Sequence, residues 1–344
     1  MKIAQITQVC VPVPPKEYGG TELVVSLLTE ELVRRGHDVT LFATGDAVTK
    51  AKLHSTYKEA VGFERDTPIM HLASVSEAFK YISEDGGFDI IHNHAGHWGI
   101  TLSQFSETPV VTTLHNDYFT PGDPAFEYFR DIGYYVAISR NQMKMLAGLN
   151  FAGMVYNAID TTSYTLTREK EDYLLFFGNM SRLKGADIAV KTALDLRKKL
   201  IICSKIDSGA NQDFFDAEVK PYVDNRRIIF HPPVGQKTKH DMFSKARCFL
   251  FPIDWEEPFG LVMIEAMACG TPVVAYKRGS VPEVIMDGQT GFVVETYEEF
   301  LAAVKKVDQI SPEACRQHVE ENFSVQRMTA SYLEAYRTII EKRP

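Results

Sequence analysis

Two α/β domains, each on a parallel sheet, are the architecture this sequence predicts, and three observations carry the prediction. The chain has 344 residues, too many for one ordinary core and suited to two. Short apolar runs alternate with helical patterns along its whole length. A polar stretch at 158–172 (AIDTTSYTLTREKED) separates two such series and reads as an interdomain linker. The domains are therefore expected at 1–157 and 173–324, with a last helical segment over 325–344.

Lys2–Gln5 begins the first strand, and a loop ending in Tyr18-Gly19-Gly20-Thr21 leads into a helix over about 22–35. Leu23, Leu27, Leu28 and Leu32 form its inner face, Arg34 and Arg35 suit its C-terminal end, and Gly36 stops it. Val39–Ala43, Asp89–His92, Val110–Leu114, Tyr134–Ile138 and Gly153–Tyr156 are the further strands of the first series. The second series opens at Tyr173–Gly178 and continues with Leu200–Cys203, Arg227–Phe230, Cys248–Pro252 and Pro272–Ala275. Residues 325–342 carry Met328, Tyr332, Leu333 and Tyr336 at helical spacing. Residues 50–68 and 116–129 read as loops.

Composition narrows the function. A formal net charge of −8 argues against nucleic acid as the main ligand. Cys10, Cys203, Cys248, Cys269 and Cys315 lie far apart without a C-x-x-C pair, which suits buried thiols in a reducing compartment rather than disulfides or a metal site. The start has no signal-peptide pattern and no stretch approaches 18 uninterrupted apolar residues, so a cytoplasmic protein without a transmembrane span is expected.

The most informative segment is 257–272, EPFGLVMIEAMACGTP. Pro258 and the apolar spacing of Leu261, Ile264, Met267 and Ala268 mark a helix, stopped by Gly270 and Pro272. Eight positions of helix separate Glu257 from Glu265 by roughly 12 Å, about the span of a diphosphate with a sugar at one end and a ribose at the other. Backbone N–H groups of Phe259, Gly260 and Leu261 at the helix start would face the phosphates. Glu257 then suits sugar hydroxyls and Glu265 the ribose. Glu265 interrupts an apolar face, where an unpaired carboxylate is costly.

The segment resembles the signature of the retaining GT-B glycosyltransferases of family 4 (glycosyl transferases group 1): Glu, seven residues, then Glu within E-P-F-G-L-x-x-I-E-A-M-A-x-G-x-P-V-V. The match continues through Val273 and Val274. The resemblance covers essentially the whole chain. It implies two Rossmann-like domains facing a central cleft, acceptor side first and donor side second, with the final helix crossing back onto the N-terminal domain.

Other positions are read beside that resemblance. Gly19 and Gly20 lack side chains and let backbone N–H groups approach an anion. They resemble the family's donor-phosphate loop, G-G-x-E before a helix ending in R-G-H-x-V-T, which puts Gly20 on the donor diphosphate. Glu22 either helps shape the cleft or, as an acid in the first helical turn, answers the helix dipole. Where the family has G-R-L-x-x-x-K-G, this chain has Asn179 at the Arg position and Lys184 at the Lys position. Arg182 is the available substitute for the missing charge. His92, His94 and His97 lack the pattern of a zinc site and resemble the family's D-x-x-H-x-H cleft end. His115, in a T-L-H sequence, resembles the family's histidine beside the transferred sugar. Ser204, Pro233 and Val234 are the candidates for the nucleotide base, since α/β sheets place ligands at C-terminal strand ends.

The reading is a retaining hexosyltransferase. It would move a sugar from a nucleotide-diphosphate sugar, UDP first and GDP second, to a hydroxyl of a saccharide, lipid-linked sugar or small molecule. His115, Glu257 and Lys184 would carry the chemistry. No D-x-D pair appears, so neither a metal nor another cofactor is expected. A GT-B nucleotide-sugar epimerase and a non-catalytic nucleotide-sugar-binding protein are the alternatives. A dehydrogenase is disfavoured, because no strand is followed by G-x-G-x-x-G.

Overall fold

The computed structural model describes residues 1–16, 19–63, 65, 67–116 and 119–342, so Tyr18 and part of each expected loop lie outside the described residues. The chain divides into two compact units, Met1–Ala158 with Val325–Pro344, and Ile159–Ser324.

Among the described residues, the first unit carries a seven-stranded sheet of β1 (Lys2–Ile6), β2 (Asp38–Phe42), β3 (Lys52–His54), β4 (Ile90–Asn93), β5 (Val110–Thr113), β6 (Tyr134–Ala137) and β7 (Phe151–Met154). All neighbours run parallel, in the order β3-β2-β1-β4-β5-β6-β7. Such strands are covered on both faces, and Ile3, Ala4, Leu41, Ile90, Ile91 and Val111 are fully buried. Helix Gly20–Arg34 returns the chain from β1 to β2. Its end is fastened by Glu31, which accepts from both Arg34 and Arg35, and Gly36 at φ +82° turns the chain out. The last helix, Val325–Glu341, belongs to this unit and buries Met328, Tyr332, Leu333, Tyr336 and Ile339.

The second unit carries β8 (Tyr173–Asn179), β9 (Lys199–Lys205), β10 (Ile228–His231), β11 (Cys248–Phe251), β12 (Val273–Tyr276) and β13 (Gly291–Val294). The order is β10-β9-β8-β11-β12-β13, again parallel throughout. Strand order reverses at β1/β4 in the first sheet and at β8/β11 in the second. Ligands of doubly wound sheets bind beyond the carboxyl ends at such reversals.

Four features differ from the sequence expectation. Residues 159–172 stand inside the second unit instead of linking two. Lys170 Nζ donates to Ser244 O, Cys269 O and Thr271 Oγ1, and Tyr164 is buried. The helix expected from Pro258 spans Leu261–Ala268, because Gly260 sits at φ +77°, a left-handed conformation no helix continues through. Glu257 is therefore in the preceding loop, and the helical rise does not set its distance from Glu265. Strands β3 and β13 form sheet edges and were not foreseen. The expected loop 116–129 ends in helix Pro124–Phe129, capped by Asp123. No helix among the described residues is long and apolar enough to cross a membrane.

Candidate functional site

In the second unit, the chain leaving β8 forms a single turn, Arg182–Lys184, before helix Ala186–Leu196. Gly185 at φ +75° closes the turn, and a Cβ there would collide with the Pro252 carbonyl. Asp254 N donates to Leu183 O at 2.8 Å. The turn is thus pinned against the loop beyond β11, on the other side of the strand-order reversal. The result is an ion pair. Lys184 Nζ lies 2.7 Å from Glu257 Oε2 and 4.3 Å from the centre of the Trp255 ring.

Glu257 is held by its backbone as well. Its N–H donates to Trp255 O, and its carbonyl accepts from Ser280 N, both at 2.9 Å. Gly279 packs directly on this backbone, leaving no room for a Cβ. Ser280 Oγ donates to Phe259 O at 2.8 Å. The Phe259 ring is buried against Phe323. Helix Leu261–Ala268 starts immediately after, and its first N–H groups have no intrahelical acceptor.

Glu265 is 1% exposed. Its Oε1 accepts from Lys239 Nζ at 2.6 Å and from the Tyr164 hydroxyl at 3.1 Å. Its Oε2 is buried and has no hydrogen-bond partner among the described residues. Burial, then the Glu265 charge, raises the Tyr164 hydroxyl far above its ordinary pKa, so it stays a neutral donor. Burial lowers His240, whose ring lies 4.1 Å from that of Tyr164.

The other donor-side candidates fall at the same sheet end. Asn179 ends β8 beside Lys205, and Gly178 pairs with Ser204. Cys203 Sγ donates to Pro232 O at 3.4 Å, which brings the chain before Pro233 and Val234 against the end of β9. Arg182 points elsewhere. Its guanidinium bonds Glu218 at 3.0 Å, lies over the Phe214 ring and is 67% exposed. It lines a surface pocket of about 510 Å³ with Ser181, Asn211, Asp213 and Phe214, whereas neither Glu257 nor Glu265 lines it.

In the first unit, Gly19 and Gly20 open helix Gly20–Arg34. A Cβ on Gly19 would lie 2.7 Å from Pro15 Cβ and 2.9 Å from Glu22 Oε2. Glu22 is buried, and its pKa is raised to about 7 by that burial, opposed by a hydrogen bond to its own backbone.

Beyond β4 and β5 of the same unit lies a continuous chain of buried polar groups. His115 Nε2 and His94 Nδ1 are 2.8 Å apart, and His94 Nε2 lies 2.7 Å from Gln5 Oε1. Gln5 Nε2 donates to the Tyr336 hydroxyl at 3.2 Å. That hydroxyl is 2.5 Å from His92 Nδ1, and His92 Nε2 is 2.7 Å from Thr113 Oγ1. Thr113 in turn meets the Tyr332 hydroxyl at 3.0 Å. Burial lowers His115 to about 3 and carries His92 and His94 well below their ordinary range, so all three rings are neutral near pH 7.

Two family models match in succession. Glycosyltransferase Family 4 matches residues 18–163, and Glycosyl transferases group 1 matches residues 163–322. The chain belongs to the family 4 glycosyltransferases. The D-inositol 3-phosphate glycosyltransferase of Arthrobacter sp. (strain FB24) is 26% identical over 334 residues, 81% of this chain and 79% of that protein. Sucrose-phosphate synthase from Thermosynechococcus elongatus superposes with a TM-score of 0.80 at 18% identity, over 99% of both chains. Anabaena HepE in complex with UDP-glucose gives 0.74 at 17% identity, over 98% of this chain and 100% of that one. These likenesses identify the fold as GT-B, with two Rossmann-like domains.

Several partners in this glycosyltransferase escaped sequence reasoning. Lys239 stands in a polar helix, Gln236–Lys245, that no sequence motif marks. Tyr164 fell within the stretch taken for a linker. Gln5 lies in a strand and Tyr332 and Tyr336 in the last helix, where apolar spacing signals packing only. For Lys239 the available signal was Glu265 itself, since a buried carboxylate demands a counter-charge.

Proposed function

We propose that this glycosyltransferase transfers a hexose from a nucleotide-diphosphate sugar to a hydroxyl acceptor with retention of anomeric configuration and without a metal ion. One observation carries the donor assignment. Glu265 is buried with Oε1 occupied and Oε2 without a hydrogen-bond partner among the described residues, and a hydroxyl pair of a ribose supplies the donor that this oxygen lacks. UDP-sugar is favoured over GDP-sugar, and the complexes of Anabaena HepE with UDP and UDP-glucose support that choice. The relatives named for D-inositol 3-phosphate support a hydroxyl acceptor. The five cysteines are buried and form no disulfide among the described residues, which suits a reducing compartment such as the cytoplasm.

Negative charge grows on the departing diphosphate. An ammonium has three donors; Lys184 gives one to Glu257 and keeps the others for phosphate oxygens. Amides of Phe259, Gly260 and Leu261 add preorganised positive dipoles. Glu257 fixes Lys184 and faces the sugar hydroxyls. Ser204, Pro233 and Val234 bound the base, with Asn179 next to them. His115 lies beside the transferred sugar, and the acceptor hydroxyl attacks from the leaving-group face.

Calorimetric titration of UDP into parent and Glu265→Gln protein tests the donor assignment. Losing a charge-assisted hydrogen bond should weaken binding by ~1.5–3 kcal/mol, about ten- to a hundredfold. Unchanged affinity in a folded variant would remove the ribose role of Glu265.

A further inference from the structure

The histidine chain has a direction, and Gln5 sets it. A neutral imidazole has one N–H and one lone pair. Gln5 Oε1 accepts only, so the proton on His94 is at Nε2. His94 Nδ1 is then an acceptor, so the proton on His115 is also at Nε2. Gln5 Nε2 donates to the Tyr336 oxygen, and the Tyr336 proton goes to His92 Nδ1, which leaves His92 Nε2 to donate to Thr113. Every bond agrees with the next. Reversal requires the Gln5 amide to turn over and each bond from His115 to Thr113 to reverse with it. All of these side chains are buried, so no water replaces a bond lost part-way.

We propose that Gln5, held by Tyr336 of the final helix, fixes His115 in its Nε2–H tautomer. Its Nδ1 then meets the transferred sugar as a hydrogen-bond acceptor and not as a donor. Gln5, His94 and Tyr336 are positioning residues, and His115 is the group that touches substrate. This rests on the reading of His115 given above. The arrangement makes the last helix, more than 200 residues from His115 in sequence, part of the reaction centre's specification. A hydroxyl that donates to His115 keeps its own oxygen free to accept elsewhere, so the tautomer selects how the sugar is oriented.

The test is two-bond proton–nitrogen correlation NMR on histidine-labelled protein, paired with UDP release from UDP-glucose with water as acceptor. In the parent, His115 should show a protonated Nε2 and a bare Nδ1; an Nδ1–H form, or averaging between the two, overturns the proposal. Tyr336→Phe removes the acceptor that holds Gln5. His115 should then average between tautomers, and kcat should fall about fivefold, the worth of one neutral hydrogen bond, with donor KM within about twofold. Tyr332→Phe, beyond Thr113 at the far end of the chain, should leave both the His115 spectrum and kcat at parent values. A parent-like Tyr336→Phe protein overturns the relay, as does a Tyr332→Phe protein that matches Tyr336→Phe. His115→Ala separates the two ideas. Parent-like turnover in that variant would discard His115 as a sugar contact, while the parent spectrum still decides the tautomer.

Discussion

Lys239→Met isolates the buried pair beneath the proposed ribose site. The side chains of Lys239 and Glu265 are 14% and 2% exposed and meet at 2.6 Å. Removing the lysine leaves a carboxylate in an apolar interior with the Tyr164 hydroxyl as its one remaining donor among the described residues. Breaking a buried pair from one side costs ~3–5 kcal/mol, and the surviving Tyr164 bond puts this case near the lower end. For a unit of this size, ~3 kcal/mol lowers Tm by about 6–12 °C. The double variant Lys239→Met, Glu265→Gln has no stranded charge and should recover most of the loss, so the cycle should give a coupling of at least ~1 kcal/mol. Calorimetric melts and urea titrations of the parent, both singles and the double supply the four values. A Lys239→Met protein within ~0.5 kcal/mol of the parent, or strictly additive singles, would refute the claim that these charges depend on each other.

Three further outcomes follow from other residues. Glu22 loses its proton near 4.5 when unfolded but near 7 when folded. Its burial therefore costs nothing below pH 4.5, costs more as pH rises between those values, and reaches ~3 kcal/mol above 7. Glu22→Gln should match the parent in urea melts at pH 4 and exceed it at pH 8; an equal gap at both would contradict burial as the cause. Arg182→Ala should leave stability near the parent's, since the Glu218 pair is exposed and worth under about 1 kcal/mol. It should lower turnover if the guanidinium exchanges Glu218 for the diphosphate, and Asn179→Arg in that background should restore it; no recovery in a folded protein would show that the two positions share no role. Turnover in excess chelator should equal turnover without it, and loss restored by a divalent ion would refute Lys184 and the backbone amides as sufficient for the leaving group.

The fold was legible where burial is two-sided. Apolar runs such as Val110–Thr113 and Cys248–Phe251 announce parallel strands, because both faces must be covered. β3, a half-buried three-residue edge, carries no such run. The stretch 159–172 misled for the opposite reason. Its polar residues find partners elsewhere in the second unit: Lys170 meets oxygens of Ser244, Cys269 and Thr271, and burial lowers its pKa to about 8. Composition records that these groups are polar and not that they are paired. Glu265 was legible as an acid on an apolar face. Its partners were not, since Lys239 and Tyr164 reach it from 26 and 101 positions away. The helix start was misplaced because Pro258 suits a first turn, while the left-handed Gly260 that prevents it shows only in the backbone.

The central claim is transfer with retention from a nucleotide sugar, and early-time proton NMR of the first product from UDP-α-glucose tests it most directly. An α-glycoside on an active saccharide acceptor, or α-glucose released to water before the anomers equilibrate, is the expected result, recognised by the smaller anomeric coupling. A β-configured first product would contradict the account.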